Sequence, residues 1–238
     1  MKKNKNIFVI SIILVLLCVN VSVYAYLLAA TEVSYTKSNG TTISVKSALD
    51  ELNEKMQNKI GEEVTVGGEQ FYILEWDNNC DTVNLISKYN LNKAGTAQQD
   101  AAYGTTACAF SSTNYWSSSF TSSPFNLNDF IGYTATDAIG KTKSYGRSKG
   151  AVSSRLLSYD EANKLKTKSS SNTKISTMFW GKANTANGYL IYWLGSARST
   201  SNVWNVNGNI GLVDHNSFGG SGYYGVRPVI TVLKSKIS

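Results

Sequence analysis

Tyr224-Gly225-Val226-Arg227-Pro228-Val229-Ile230-Thr231-Val232-Leu233 reads as a β-strand close to the end of a 238-residue chain. One charge interrupts it. An arginine beside a proline in an apolar strand is costly unless paired, so Arg227 is expected to meet a carboxylate or backbone carbonyls in a structural role. Working back from this strand, Tyr189 to Leu194 is an apolar run with two tyrosines and a tryptophan. Val203 to Val206 and Ile210 to Val213 are two more short strands, joined by a turn at Asn207-Gly208-Asn209. Gly219-Gly220-Ser221-Gly222 reads as a flexible tip. The last fifty residues are therefore β.

The same period of two begins at Val64. Val64-Thr65-Val66 and Gly67-Gly68 read as strand and turn, and Phe71 to Trp76 as a strand. Asp77-Asn78-Asn79-Cys80-Asp81 is dense in turn formers, and Thr82 to Tyr89 returns as the second strand of a hairpin. Residues 95–150 are polar and glycine-rich, with aromatics from Tyr103 to Tyr145 and no strong period. So many aromatics argue against disorder and for long packed loops with one or two short helices. Ser158 and Glu161 form an S-x-x-E capping box, with Leu157 placed to staple onto Ala162. A helix is expected from Tyr159 to about Leu165, followed by a solvated loop over Lys166 to Lys174.

Towards the N-terminus the pattern is helical. Val45, Leu49, Leu52 and Met56 form an a/d stripe over about Ser44 to Ile60, with Ser44 as N-cap and Gly61 as stop. Two heptads are too short to stand alone. The stripe either packs on the domain or pairs with copies of itself in a stalk over residues 44–60. Before it, Ile7 to Ala30 is almost wholly apolar, and 24 helical residues reach ~36 Å, enough for a ~30 Å hydrocarbon core. Lys2, Lys3 and Lys5 precede it, which puts the N-terminus in the cytoplasm. A signal peptide cut after Val23-Tyr24-Ala25 is the rival reading, giving a secreted product cleaved near Ala25. Either way the rest is exported. The expected organisation is an anchor or signal segment at 1–30, a connector at 31–62 and a globular domain at 63–238.

Composition fits an extracellular domain. Charged residues are 16% of the chain, below the usual quarter, and hydrophobic residues are 42%. Of 23 basic residues three precede the apolar segment, leaving 20 against 16 acidic ones. They are scattered, so no nucleic-acid partner is indicated. Outside the apolar run only Cys80 and Cys108 remain; export permits a disulfide between them, and two buried thiols are the alternative.

Taken in order, Val66-Gly67-Gly68 with Phe71, Leu85 to Leu91, Arg155-Leu156-Leu157 with Glu161, Tyr192 to Ser196 and Gly225 to Val229 resemble the C-type-lectin-like fold of bacterial surface domains. Its relatives include formylglycine-generating enzymes and the variable proteins of diversity-generating retroelements. The resemblance implies an α+β fold of antiparallel hairpins, long loops and short helices. The 32–52 stretch also resembles a connector of phage tail-fibre and Gram-positive surface proteins, which implies an oligomer. The region from Trp193 to Val229 resembles the variable region of the retroelement proteins, in which a β scaffold displays polar and aromatic side chains. The resemblance thus implies ligand contact by Arg198, Ser199, Asn202, Asn205, Asn207, Asn209, His215, Asn216, Phe218, Tyr223 and Tyr224. Trp193 and Trp204 are read as core.

No enzyme is expected. The single histidine, His215, excludes sites that need two, and HExxH, P-loop, GxGxxG and GxSxG are all missing. No cysteine follows Cys108, so the formylglycine-generating activity does not carry over. Asp214 is the only acid after Glu161, which argues against a lectin-type calcium site. No metal and no cofactor are implied. The expectation is a membrane-anchored adhesion or recognition protein facing a protein or glycan outside the cell. A pilin-like or fibre subunit assembling through its stalk is the alternative.

Overall fold

A computed structural model describes residues 34–36, 39–57, 59–91, 116, 118–181, 188–217 and 224–238. The chain divides into two compact units, Met1–Gln57 and Asn58–Ser238. The apolar segment at 7–30 lies outside the described residues. Among the described residues no helix is long and apolar enough to cross a membrane.

In the first unit, β1 (Ser34–Thr36) pairs antiparallel with β2 (Thr42–Ser44), and α1 (Val45–Gln57) follows directly. The Ser47 backbone N–H donates to Ser44 Oγ at 3.0 Å, the N-cap expected of Ser44. Leu49, on the a/d stripe, is 54% exposed.

The second unit is mixed α+β with antiparallel sheets. One sheet has the order β3-β4-β5-β11-β7, from β3 (Glu63–Val66), β4 (Glu69–Trp76), β5 (Thr82–Ser87), β7 (Ser153–Leu156) and β11 (Pro228–Leu233). The other has the order β10-β9-β8-β6, from β6 (Phe125–Asn126), β8 (Ile191–Ala197), β9 (Asn202–Asn207) and β10 (Leu212–Ser217). The helices are α2 (Ala138–Ser148), α3 (Tyr159–Ser169) and α4 (Thr173–Trp180). The β4–β5 hairpin matches expectation; the expected β9–β10 hairpin is present with β10 at Leu212–Ser217 rather than Ile210–Val213, and the final strand starts at Pro228 rather than Tyr224.

Strand alternation explains why β5 and β11 are apolar on both faces. Leu85, Ile230 and Val232 enter one core cluster with Phe71, Trp116 and Trp193. Their neighbours Ile86 and Val229 enter a second cluster with Phe179, Tyr192 and Leu194. Successive side chains point to opposite faces, so a strand with core on each side must be apolar throughout. Pro228 is tolerated in this interior strand because it is the first residue, where a missing N–H breaks no interior rung.

One stretch departs from expectation, while α2 is a short helix of the kind expected within 95–150. The lysine-rich stretch 166–174 is not a loop: α3 runs to Ser169 and α4 starts at Thr173. The composition misleads because its lysines face solvent while Leu165 and Ile175 bury themselves. Lys166 and Lys168 also sit in the last turn of α3, where the helix dipole favours cations. Asn172 then caps α4, its Oδ1 accepting from the Ile175 N–H at 3.1 Å. α2 lies in the stretch that showed no period. It carries Gly140 and Gly146, poor helix formers that let it press onto the Thr134–Ala135 backbone and onto Ser154. Asp137 caps it through Gly140 N–H at 2.9 Å.

Candidate functional site

The β9–β10 hairpin carries most of the residues expected to contact a ligand, and its register sorts them onto two faces. Trp204 pairs with His215, Asn202 with Ser217, Asn205 with Asp214 and Asn207 with Leu212. Trp204 and His215 therefore share one face, and Asn205 and Asn207 share the other.

On the first face the Trp204 ring stacks on Tyr159 with centroids 4.2 Å apart, and His215 meets it edge-on at 5.4 Å. The Arg198 guanidinium lies 5.8 Å from the same ring. Arg198 is exposed; Trp204, Tyr159 and His215 are half-buried. Trp204 packs against the second core cluster, as expected of a core residue, and keeps part of its surface in solvent. Its indole Nε1 is shielded and has no acceptor.

The second face corrects the expectation. Asn205 is 0% exposed, and among the described residues neither of its amide atoms has a partner. Strand parity turns Asn205 to the same side as Val203, a residue of the first core cluster, so it cannot meet a ligand at the surface. Tyr224 stacks on buried Trp193 at 4.4 Å, and the Asn216 amide donates to its hydroxyl. Asn207 is half-buried. Ser199 and Asn202 build the β8–β9 turn: Ser199 Oγ accepts from the Asn202 N–H at 3.0 Å and from its side-chain amide at 3.2 Å. Exposed Asn209 accepts from the Tyr189 N–H at 2.9 Å. Phe218 and Tyr223 lie outside the described residues. Cys80 is an exposed free thiol that donates to Asp77 Oδ2 at 3.2 Å, a bond that pushes the thiol pKa up. Its expected disulfide partner Cys108 lies outside the described residues.

At the start of α3 opens a cleft of about 380 Å³, lined mostly by polar residues, that the sequence did not announce. Its wall begins in β8, where Trp193 and Ala197 pair with Asn205 and Val203 and so leave two extra residues on β8. In this bulge the Gly195 N–H donates to Leu157 O at 2.8 Å, and Gly195 O accepts from the Leu127 N–H at 2.9 Å. A Cβ on Gly195 would overlap the Asn128 amide, so only glycine fits. Asn128 in turn holds the β7 end: its Nδ2 donates to Leu156 O at 3.1 Å and its Oδ1 accepts from Leu156 N–H at 2.8 Å.

The bulge turns Ser196 towards the start of α3, where Ser196 Oγ accepts from the Tyr159 N–H at 3.0 Å. The expected capping box is present there, Glu161 N–H donating to Ser158 Oγ at 3.2 Å and Ser158 N–H to Glu161 Oε2 at 2.9 Å. Arg155 completes the wall with a two-pronged pair to Glu161, at 2.7 and 2.6 Å. Burial works to raise the Glu161 pKa, but Arg155 and the Ser158 bonds outweigh it and hold the carboxyl below its ordinary value. Glu161 is thus a fixed anion and a poor proton donor near neutral pH. Asp129, Asp160 and Asn126 complete the polar lining, and Pro124 adds one apolar surface.

No protein family matches the chain, and neither the curated proteins nor the solved structures contain a match to it. Among the described residues no group of three or more His, Cys, Asp or Glu is placed to hold a metal ion.

Proposed function

We propose that this chain is an exported, membrane-anchored surface protein of C-type-lectin-like fold that binds a protein or glycan outside the cell. The observation that carries this reading is the half-exposed Tyr159–Trp204–His215 cluster with Arg198 beside it, on a hairpin at the edge of a rigid sheet. Rigid aromatic rings give contact area at small entropic cost, and Trp, Tyr and Arg are the residues that dominate binding hot spots. The cleft at the start of α3 supplies polar groups that are already fixed by hydrogen bonds. Ligand contact therefore shifts from the Asn205–Tyr224 face to the Trp204–His215 face. The mixed α+β architecture with antiparallel sheets is compatible with the lectin-like reading, and the domain's two ends meet where Thr65 and Ser238 exchange hydrogen bonds at 2.9 and 3.1 Å.

The test is a glycan and protein array probed with residues 58–238, a compact unit with its own core. The reading expects a hit that Trp204→Ala and Arg198→Ala both weaken. A hit indifferent to both substitutions removes this face from the account.

An assembling stalk is the second reading, favoured by the exposure of Leu49 on α1. Light scattering of the exported part with and without residues 31–57 tests it: a stalk subunit changes the number of copies in its assembly on truncation, whereas a monomeric binder stays one copy.

A further inference from the structure

Arg198 follows directly on β8, and its backbone N–H donates to Asn202 O at 2.8 Å, so the β8–β9 turn fixes where its side chain starts. The guanidinium lies beside the Trp204 ring, and among the described residues its side chain forms no ion pair and no hydrogen bond. Acids on the flanking elements are placed elsewhere. Glu161 is held by Arg155, and Asp160 lines the cleft at the start of α3. Asp214 falls on the opposite face of the hairpin, where its Oδ1 accepts from the His215 N–H at 2.8 Å. By register the Trp204 face of the hairpin carries Asn202, Trp204, Val206, Val213, His215 and Ser217, and none of them is an acid. Arg198 is thus an exposed cation beside an aromatic platform, with no carboxylate paired to it among the described residues.

The size of the platform and its rim choose among the partners that such a cation admits. Its rings are Trp204, Tyr159 and His215, all half-buried, so the open apolar area is small. A stable protein partner needs an interface above about 1,000 Å² with an apolar centre. The exposed apolar side chains of the hairpin, Ile210 and Leu212, lie towards its tip, past Asn207, and Leu212 is on the opposite face. Polar side chains stand near the platform instead, exposed Ser217 and half-buried Asn202 among them. A sugar ring suits this combination: its C–H face packs on an aromatic ring and its hydroxyls meet the polar rim. The open guanidinium then calls for a carboxylate on that sugar, the planar anion its fork matches.

Building on the ligand-binding reading, we infer that the Trp204 face binds a carboxylated glycan, its acidic sugar (a sialic or uronic acid) packed on the aromatic cluster and its carboxylate paired with Arg198.

Calorimetry of residues 58–238 tests this with sialyllactose and a galacturonate oligomer, each beside its carboxyl-reduced form, and with a glutamate oligomer. At least one of the two acidic glycans is expected to bind. Carboxyl reduction should weaken it roughly tenfold or more, since hydrogen bonds to charged groups are of that order. In Arg198→Ala the acidic and reduced forms should bind alike, because the side chain that tells them apart is gone. Arg198 is exposed, and an unchanged melting temperature checks that the variant keeps its fold. A preference for the acid that survives in Arg198→Ala overturns the pairing with Arg198. Equal binding of the acidic and reduced forms to the parent overturns the carboxylate. A glutamate oligomer bound as tightly, and lost in Arg198→Ala, overturns the sugar class in favour of an acidic peptide. No binding of either acidic glycan overturns the inference, while an array hit on a neutral glycan or a protein that Trp204→Ala weakens would leave the broader reading standing.

Discussion

Arg227 and Tyr192 share one acceptor, the carbonyl of Phe179 in the last turn of α4. Arg227 Nη1 donates to it at 3.1 Å and Tyr192 Oη at 2.8 Å, with the guanidinium 5.0 Å from the tyrosine ring. Arg227 also donates to Met178 O and Ser87 O, both at 2.7 Å. The last carbonyls of a helix have no partner within it, and they form the negative end of its dipole. One fully buried arginine thus caps α4, closes the end of β5 and starts β11. Of the two partners the sequence left open, backbone carbonyls are the ones found.

Replacing that fork should be costly in every direction. Lysine cannot span three carbonyls in a plane, and methionine removes the donor to Met178 O and Ser87 O and leaves Phe179 O only Tyr192. Arg227→Lys and Arg227→Met are each expected to lose about 3 kcal/mol, in the range for breaking a buried charged network. Urea denaturation of the 58–238 unit checks this; a loss below about 1 kcal/mol would mean that the carbonyls find other donors.

Asn128 plays a similar part at the cleft, standing in for a strand neighbour of Leu156 through two hydrogen bonds. Asn128→Ala removes both, leaving the buried Leu156 N–H without this acceptor and Leu156 O with only the long bond from Arg155 Nη1 at 3.3 Å, a cost of about 1–3 kcal/mol. Gly195→Ala should fail for the complementary reason, since its methyl meets the Asn128 amide. The loss should also appear as faster amide exchange at Leu156 than at Ile230 in the neighbouring strand.

Asn205 gives the opposite sign. Both of its amide atoms are buried without partners, so an apolar residue of similar size removes a desolvation cost and loses no bond. Asn205→Leu is expected to leave stability unchanged or raise it by about 1 kcal/mol. A drop of several kcal/mol in thermal denaturation would show that the amide is satisfied by internal water.

Glu161 makes stability depend on pH. Its folded pKa lies below its ordinary value of 4.5, so the unfolded chain takes up the proton first as pH falls. The stabilisation is complete above that value and is lost as pH drops through the lower, folded pKa. Glu161→Gln should lower the melting temperature at pH 7 and flatten its fall between about pH 5 and pH 3. Equal acid sensitivity in the variant would place the titration elsewhere.

The strands were legible because their signals are local. The Gly67-Gly68 turn, the Asp77–Asp81 turn and the alternation of β4 and β5 all lie within a few residues, as does the Ser158–Glu161 box. What stayed hidden depends on distant partners. Asn205 looks like a surface asparagine until strand parity turns it inward, and the half-exposed stack of core-packed Trp204 on Tyr159 depends on a distant helix, α3. The cleft joins β6, β7, α3 and β8, and no spacing within one segment records the two-residue bulge that shapes it. A short helix was expected within 95–150, but the bounds of α2 were not readable because the glycines that let it pack closely also weaken its helical signature.

The most direct measurement is the affinity of the array-selected ligand for the 58–238 unit and for its Trp204→Ala and Arg198→Ala variants, each with its melting curve. Recognition through the Trp204–His215 face predicts a loss of about tenfold or more in both, with Arg198→Ala melting like the parent. Parental affinity in both variants would contradict it.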